Sequence, residues 1–168
     1  MAPILNYPAD FGEDHTITLD AETNLAVLYQ IQDKFELAEE LFISSLAKKT
    51  KLFGEDSTTT LMAMNNLACV YGDVNLCFKA ERLFTRCLEL RTAKFGERHI
   101  DTVSTMSNLS GLYIKMGQVE HAERFGSKSV EISAQLLGLN PKPSSKIAVH
   151  FVLFPPFQVM ITQTLLWR

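Results

Sequence analysis

The residues of this 168-residue chain best suited to nucleophilic or metal chemistry are its three cysteines and four histidines, and their spacing gives them no such task. Cys69, Cys77 and Cys87 contain no C-x-x-C pair and have no His-rich cluster beside them, so neither a zinc site nor a thiol-disulfide motif is built. Three thiols cannot all pair, which fits free cysteines in a reducing, cytoplasmic setting. Cys87 is expected on the inner side of a helix as a small core residue, and Cys69 as an exposed thiol with no histidine placed to activate it. Phosphate loops of the G-x-x-x-x-G-K kind, H-E-x-x-H and G-x-S-x-G are all absent. Asn108-Leu109-Ser110 matches the glycosylation pattern but falls inside an expected helix, in a chain whose first residues, MAPILNYPADFGED, lack the layout of an export signal. The expectation is a chain that is not an enzyme and needs no cofactor or metal.

Charge points the same way. Sixteen Lys and Arg against nineteen Asp and Glu leave a net charge of -3, with the basic residues scattered, so nothing is available to coat nucleic acid or an anionic membrane. A 46% apolar share is ample for a continuous core, and a protein or peptide becomes the expected partner.

What positions the remaining polar residues is a repeat. Phe11-Gly12-Glu13-Asp14 returns as Phe53-Gly54-Glu55-Asp56 and as Phe95-Gly96-Glu97-Arg98, each 42 positions after the last, with Leu137-Gly138 as a weaker fourth echo. Asn24-Leu25-Ala26-Val27-Leu28-Tyr29 recurs as Asn66-Leu67-Ala68-Cys69-Val70-Tyr71 and Asn108-Leu109-Ser110-Gly111-Leu112-Tyr113, and Ala38-Glu39, Ala80-Glu81 and Ala122-Glu123 keep step. The blocks run 15–56, 57–98 and 99–140, between a remnant of a preceding repeat at 1–14 and a tail at 141–168. Apolar residues at three- and four-residue spacing make each block two helices. On the second helices the expected core face carries Leu37, Ala38, Leu41, Phe42, Leu46 and Phe53, then Leu83, Leu88 and Phe95, then Phe125, Val130 and Leu137. Asp33, Asn75 and Gly117 stand where each pair must turn, and Gly12, Gly54 and Gly96 end the second helices. His15 and His99 share one repeat position with Ser57, that of a helix start, while His121 and charges such as Glu39, Glu40, Glu81 and Arg82 read as a solvated face. In the third block Gly126 replaces the Phe of the first two, with Phe125 displaced by one, so looser packing is expected there.

The run Leu, small residue, then Tyr three positions on, followed nine residues later by Ala and then Phe, resembles the tetratricopeptide consensus over residues 15–140. The 42-residue unit with Asn-Leu-Ala-x-x-Tyr and Phe-Gly-Glu is similar to the repeats of kinesin light chains and related large signalling proteins. That resemblance implies an all-α fold, a right-handed α-α superhelix of three helix-pair repeats with an atypical C-terminal tail. It further implies a scaffold or adaptor that holds peptide segments in a concave groove lined by the first helices. The alternative is a sensor-arm fragment of a larger signalling protein of the nucleotide-switched receptor type that has lost its effector domain.

By the same resemblance the groove takes Asp20, Thr23, Asn24, Val27 and Gln30 from the first block, and Met62, Asn65, Asn66, Cys69 and Asp73 from the second. Ser104, Ser107, Asn108, Gly111 and Lys115 come from the third. A column of amides at 24, 66 and 108 can grip an extended peptide's main chain, or can cap and brace neighbouring helices, and the sequence leaves both open. Only Lys115 is basic in this set, which argues against a carboxylate clamp. In the tail, residues 147–154 are apolar and β-prone and Pro155-Pro156 interrupts them; no membrane span is expected, and the segment is expected either to cover the last helix or to drive self-association.

Overall fold

The structure, a computed structural model, describes residues 16–138. The remnant at 1–14, His15 and the tail at 141–168 with its 147–154 segment lie outside these residues. Six helices follow one another: α1 (Thr16–Ile31), α2 (Phe35–Phe53), α3 (Thr58–Asp73), α4 (Cys77–Phe95), α5 (Ile100–Lys115) and α6 (Val119–Leu136), with no strand among the described residues. The chain falls into two compact units, Met1–Leu67 and Ala68–Arg168, whose boundary lies inside α3.

Local chemistry sets the helix ends. Asp33 (φ 57°), Asn75 (φ 61°) and Gly117 (φ 70°) each adopt the left-handed conformation two residues after a first helix. The amide that follows each returns to a tyrosine carbonyl, Lys34 N to Tyr29 O at 2.9 Å, Leu76 N to Tyr71 O at 2.8 Å and Gln118 N to Tyr113 O at 2.9 Å. Those bonds satisfy carbonyls that the helix end would leave orphaned, and they occur where short polar side chains or glycine tolerate positive φ. Gly54 (φ 85°) and Gly96 (φ 84°) close α2 and α4, donating to Thr50 O and Thr92 O. Ser57 Oγ accepts from Thr60 N at 3.2 Å and His99 Nδ1 from Asp101 N at 3.2 Å, so both act as the expected helix-start residues.

In the first unit α1 packs on α2; in the second, α4 packs on α5 and α5 on α6. One line along each second helix is buried at the same repeat positions: Ala38, Phe42, Ser45 and Lys49; Ala80, Phe84, Cys87 and Arg91; Ala122, Gly126, Ser129 and Ser133. This corrects the core face read from the large apolar residues. Leu37 and Leu137 are exposed, and Phe53 at the end of α2 is 39% exposed. Leu37 sits one residue, about 100° of helix rotation, from the buried Ala38, so it borders the interface and does not fill it. The line accepts Ser45, Lys49 and Arg91 because Ser45 Oγ, Lys49 Nζ and Arg91 Nη1 are hydrogen-bonded across to a neighbouring first helix, although the buried Arg91 Nε has no such bond.

The third pair is also not looser than the others. A Cβ on Gly126 would stand 2.8 Å from Ser110 Oγ, so the missing side chain lets α6 approach α5 closely. Ser110 Oγ donates to Ala122 O at 2.8 Å across this contact. The displaced Phe125 stacks on Tyr113, with ring centroids 5.8 Å apart, and packs against the buried cluster of Val103, Met106 and Ile132. Gly126→Ala should therefore forfeit the gain of about 1 kcal/mol that glycine removal brings inside a helix, and lower the melting temperature. In a Ser110→Ala background the same substitution should raise it. Urea melts of the four proteins of this cycle check the reversal of sign; equal effects in both backgrounds would contradict the close approach.

Candidate functional site

The first helices present the residues expected to meet a ligand. On α1, Asp20 and Asn24 are exposed and Val27 is half-buried, whereas Thr23 and Gln30 are buried. The Thr23 hydroxyl donates to Leu19 O at 2.8 Å, lies 3.0 Å from Ser45 Oγ and accepts from Lys49 Nζ at 3.0 Å. It joins α1 to α2 and is not presented outward. Lys49 Nζ also donates to Asp20 Oδ1 at 3.2 Å, holding one oxygen of a carboxylate whose side chain stays 60% exposed. On α3, Met62 is exposed and Asn65 and Asn66 are half-buried.

In the second unit Cys69 and Asp73 on α3 are half-buried. On α5, Ser104 and Gly111 are half-buried, Ser107 and Asn108 buried, and Lys115 exposed. Two side chains of α5 reach back to α3: Asn108 Nδ2 lies 3.9 Å from Cys69 Sγ, and Lys115 Nζ donates to Gly72 O at 2.8 Å. Lys115 thus sits at the C-terminal turn of α3, where the helix dipole favours a cation and where the last carbonyls lack helical partners. The one basic group of the groove set holds the protein's own backbone.

The amides at 24, 66 and 108 consequently occupy three environments, exposed, half-buried and buried. Asn108 lies against Cys69 of a neighbouring first helix, while Asn24 is exposed.

Cys69 and Cys87 are poor nucleophiles. Burial pushes Cys69 well above the usual thiol range, and the neighbouring Asp73 charge pushes it further. Cys69 is therefore not the exposed thiol that the sequence suggests. Burial likewise raises Cys87, against the opposing pull of Arg91. Both remain neutral thiols at physiological pH, and the thiolate is the reactive form. Among the described residues no three His, Cys, Asp or Glu side chains come together as a metal site, and no helix is long and apolar enough to cross a membrane.

Two features escape a reading based on apolar patterns. Lys49 and Arg91 are buried basic residues at one repeat position, and Arg91 Nη1 donates to Asp101 O and Thr105 Oγ1, both at 2.7 Å. Aligning the repeats would reveal the shared column, but not its burial. Glu81, taken for part of a solvated face, accepts a 2.8 Å hydrogen bond from the Tyr113 hydroxyl.

Comparison with known proteins agrees with this geometry. The model of the tetratricopeptide repeat matches residues 15–77 and 75–135. Among solved structures, the crystal structure of BtubC (BKLC) from P. vanneervenii matches with a TM-score of 0.69 at 20% identity, covering 89% of this chain and 57% of that one. At that identity the likeness shows the fold, and it bears out the all-α tetratricopeptide class. The chain spans little more than half the length of that relative. No curated protein matches the chain.

Tyr113 generates a pH prediction. Burial first, and then the hydrogen bond to Glu81 and its charge, push the phenol up to about 12. A folded-state value above the unfolded value near 10 means that the contribution is complete below about pH 10 and is lost as pH rises through about 12. Tyr113→Phe should melt below the parent at pH 8, with the gap closing between about pH 10 and pH 12. Melts across that range check it; a gap independent of pH would contradict the bond.

Proposed function

Because the chain belongs to the tetratricopeptide repeat family, we propose that it is a non-catalytic adaptor that holds extended peptide segments on its first helices, in the manner of kinesin light chain repeats. Repeats of this family mediate protein-protein interaction, and the finer role rests on how these helices divide their surfaces. Each first helix buries a small residue of the repeat, Ala26, Ala68 or Ser110, and leaves polar groups on another side accessible. The single observation that carries the reading is α1, where Asn24 and Asp20 are exposed while Thr23 between them is locked by Ser45 and Lys49. A rigid helix offering an amide and an oriented carboxylate can accept and donate to a peptide main chain with little ordering cost.

The groove set of this proposal is Asp20, Asn24, Val27, Met62, Asn65, Asn66, Cys69, Asp73, Ser104, Gly111 and Lys115, with Thr23, Gln30, Ser107 and Asn108 supporting it from below the surface. Asp20 in the first unit and Asp73 in the second, with the Lys115 ammonium already engaged by the Gly72 carbonyl, favour neutral or basic segments over a free carboxylate. A display library of random linear peptides selected on the full chain should yield binders, and Asn24→Ala with Asn66→Ala should weaken them at least tenfold while leaving the melting temperature within about 1 °C. Undiminished binding by the double variant would overturn the assignment.

A further inference from the structure

At the third position after each turn within a pair the three repeats hold Glu36, Phe78 and Glu120. Phe78 is 80% exposed on the first turn of α4, outside the contacts described so far, and Leu76, 40% exposed, lies two residues before it where the other pairs have Lys34 and Gln118. Helix packing does not call for an aromatic here, since two of the three pairs manage with glutamate. At these two positions the second pair exposes two apolar side chains where the other pairs expose Lys34, Glu36, Gln118 and Glu120, which gives α4 an aromatic anchor that a partner can bury.

Phe78 begins a stripe along α4 that continues through Arg82, Thr85, Arg86 and Glu89 to Ala93, all exposed. With Glu81, the first five line a shallow concavity of 440 Å³. The order of chemistry along the stripe is complementary to itself when read backwards. About a point between Thr85 and Arg86, Arg82 opposes Glu89 and the bulky Phe78 opposes the small Ala93. An antiparallel pairing about that point would set an acid against a base twice, with Glu89 sharing its exposed carboxylate, 3.5 Å from Arg86 of its own helix, with Arg82 of the opposite helix.

We propose that α4 pairs antiparallel with α4 of a second copy of this chain, about a two-fold axis near Thr85. Arg82 then meets Glu89 of the second copy, Glu89 meets Arg82 of the second copy, and each Phe78 packs beside the opposite Ala93. Glu81 keeps its bond to the Tyr113 hydroxyl, and the groove residues of α5 take no part. A helix of 19 residues is about 28 Å long, so a contact of two such helices lies at the small end of specific interfaces. The dimer is reversible and depends on its aromatic anchor.

Sedimentation equilibrium of the full chain over a wide concentration range tests this. The weight-average mass should rise toward twice the monomer value. Phe78→Glu, which installs the residue type of the other two pairs, should weaken association at least tenfold without lowering the melting temperature. Arg82→Glu should weaken it similarly, and Arg82→Glu combined with Glu89→Arg should restore it. A chain that stays monomeric throughout, or associates equally in all variants, would overturn the proposal, the second result assigning association to another segment such as 147–154. Rescue by the charge exchange separates pairing with a second copy from capture of an unrelated protein, which the exchange would not restore.

Discussion

Close approach of two helices inside each pair constrains everything else in this protein. The small residues that permit it, Ala26 and Ala38, Ala68 and Ala80, Ser110 and Ala122, are all buried at matched repeat positions. In the third pair the approach is visible atom by atom, since Ser110 Oγ touches the carbonyl of Ala122 and leaves no room for a Cβ at Gly126. The position that Gly126 leaves without a side chain holds Phe42 and Phe84 in the first two pairs, both fully buried, so there the small contact is confined to the Ala residues and the aromatic ring fills the next turn of the same line. Phe125 does the same work from a neighbouring position in the third.

The same constraint explains why charged residues lie inside. A second helix has to run past its small contact toward its C-terminal turn, and there the buried positions are Lys49 and Arg91. Their long aliphatic stems pack while their cationic heads find oxygen: Asp20 and Thr23 for Lys49, the Asp101 carbonyl and Thr105 for Arg91. A cation near the end of a helix is also favoured by the helix dipole. Fixing Asp20 and Thr23 in this way makes α1 a rigid surface, which is what a peptide-binding helix requires.

Much of this was legible because it is local. Positive φ selects Asp33, Asn75 and Gly117, and helix starts select Ser57 and His99, so turns and caps could be read from residue type and spacing alone. The core face was read correctly at Ala38, Phe42 and Val130 and misread at Leu37, Phe53 and Leu137, because the reading ranked residues by apolar size, while the buried line also takes Ala, Ser and the stems of Lys49 and Arg91. Gly126 looked like lost volume and is instead the site of closest contact. The groove was legible as a set of helices but not residue by residue. Whether Asn108 or Asn24 is presented depends on side-chain bonds to other helices, such as that from Asn108 to Cys69, which a repeat pattern does not contain. Tyr113 and Glu81 show the same limit, 32 positions apart in the chain and joined by one hydrogen bond.

Thermal melting of Ala80→Leu beside Ala47→Leu tests the central claim most directly, because the chemical change is identical and only the surroundings differ. Ala80 is fully buried at the small-residue line and Ala47 is exposed on α2. The account predicts that Ala80→Leu costs about 1 to 3 kcal/mol while Ala47→Leu stays within about 0.5 kcal/mol of the parent. An Ala80→Leu protein that melts with the parent would contradict it, because the helices would then have space that close approach denies them.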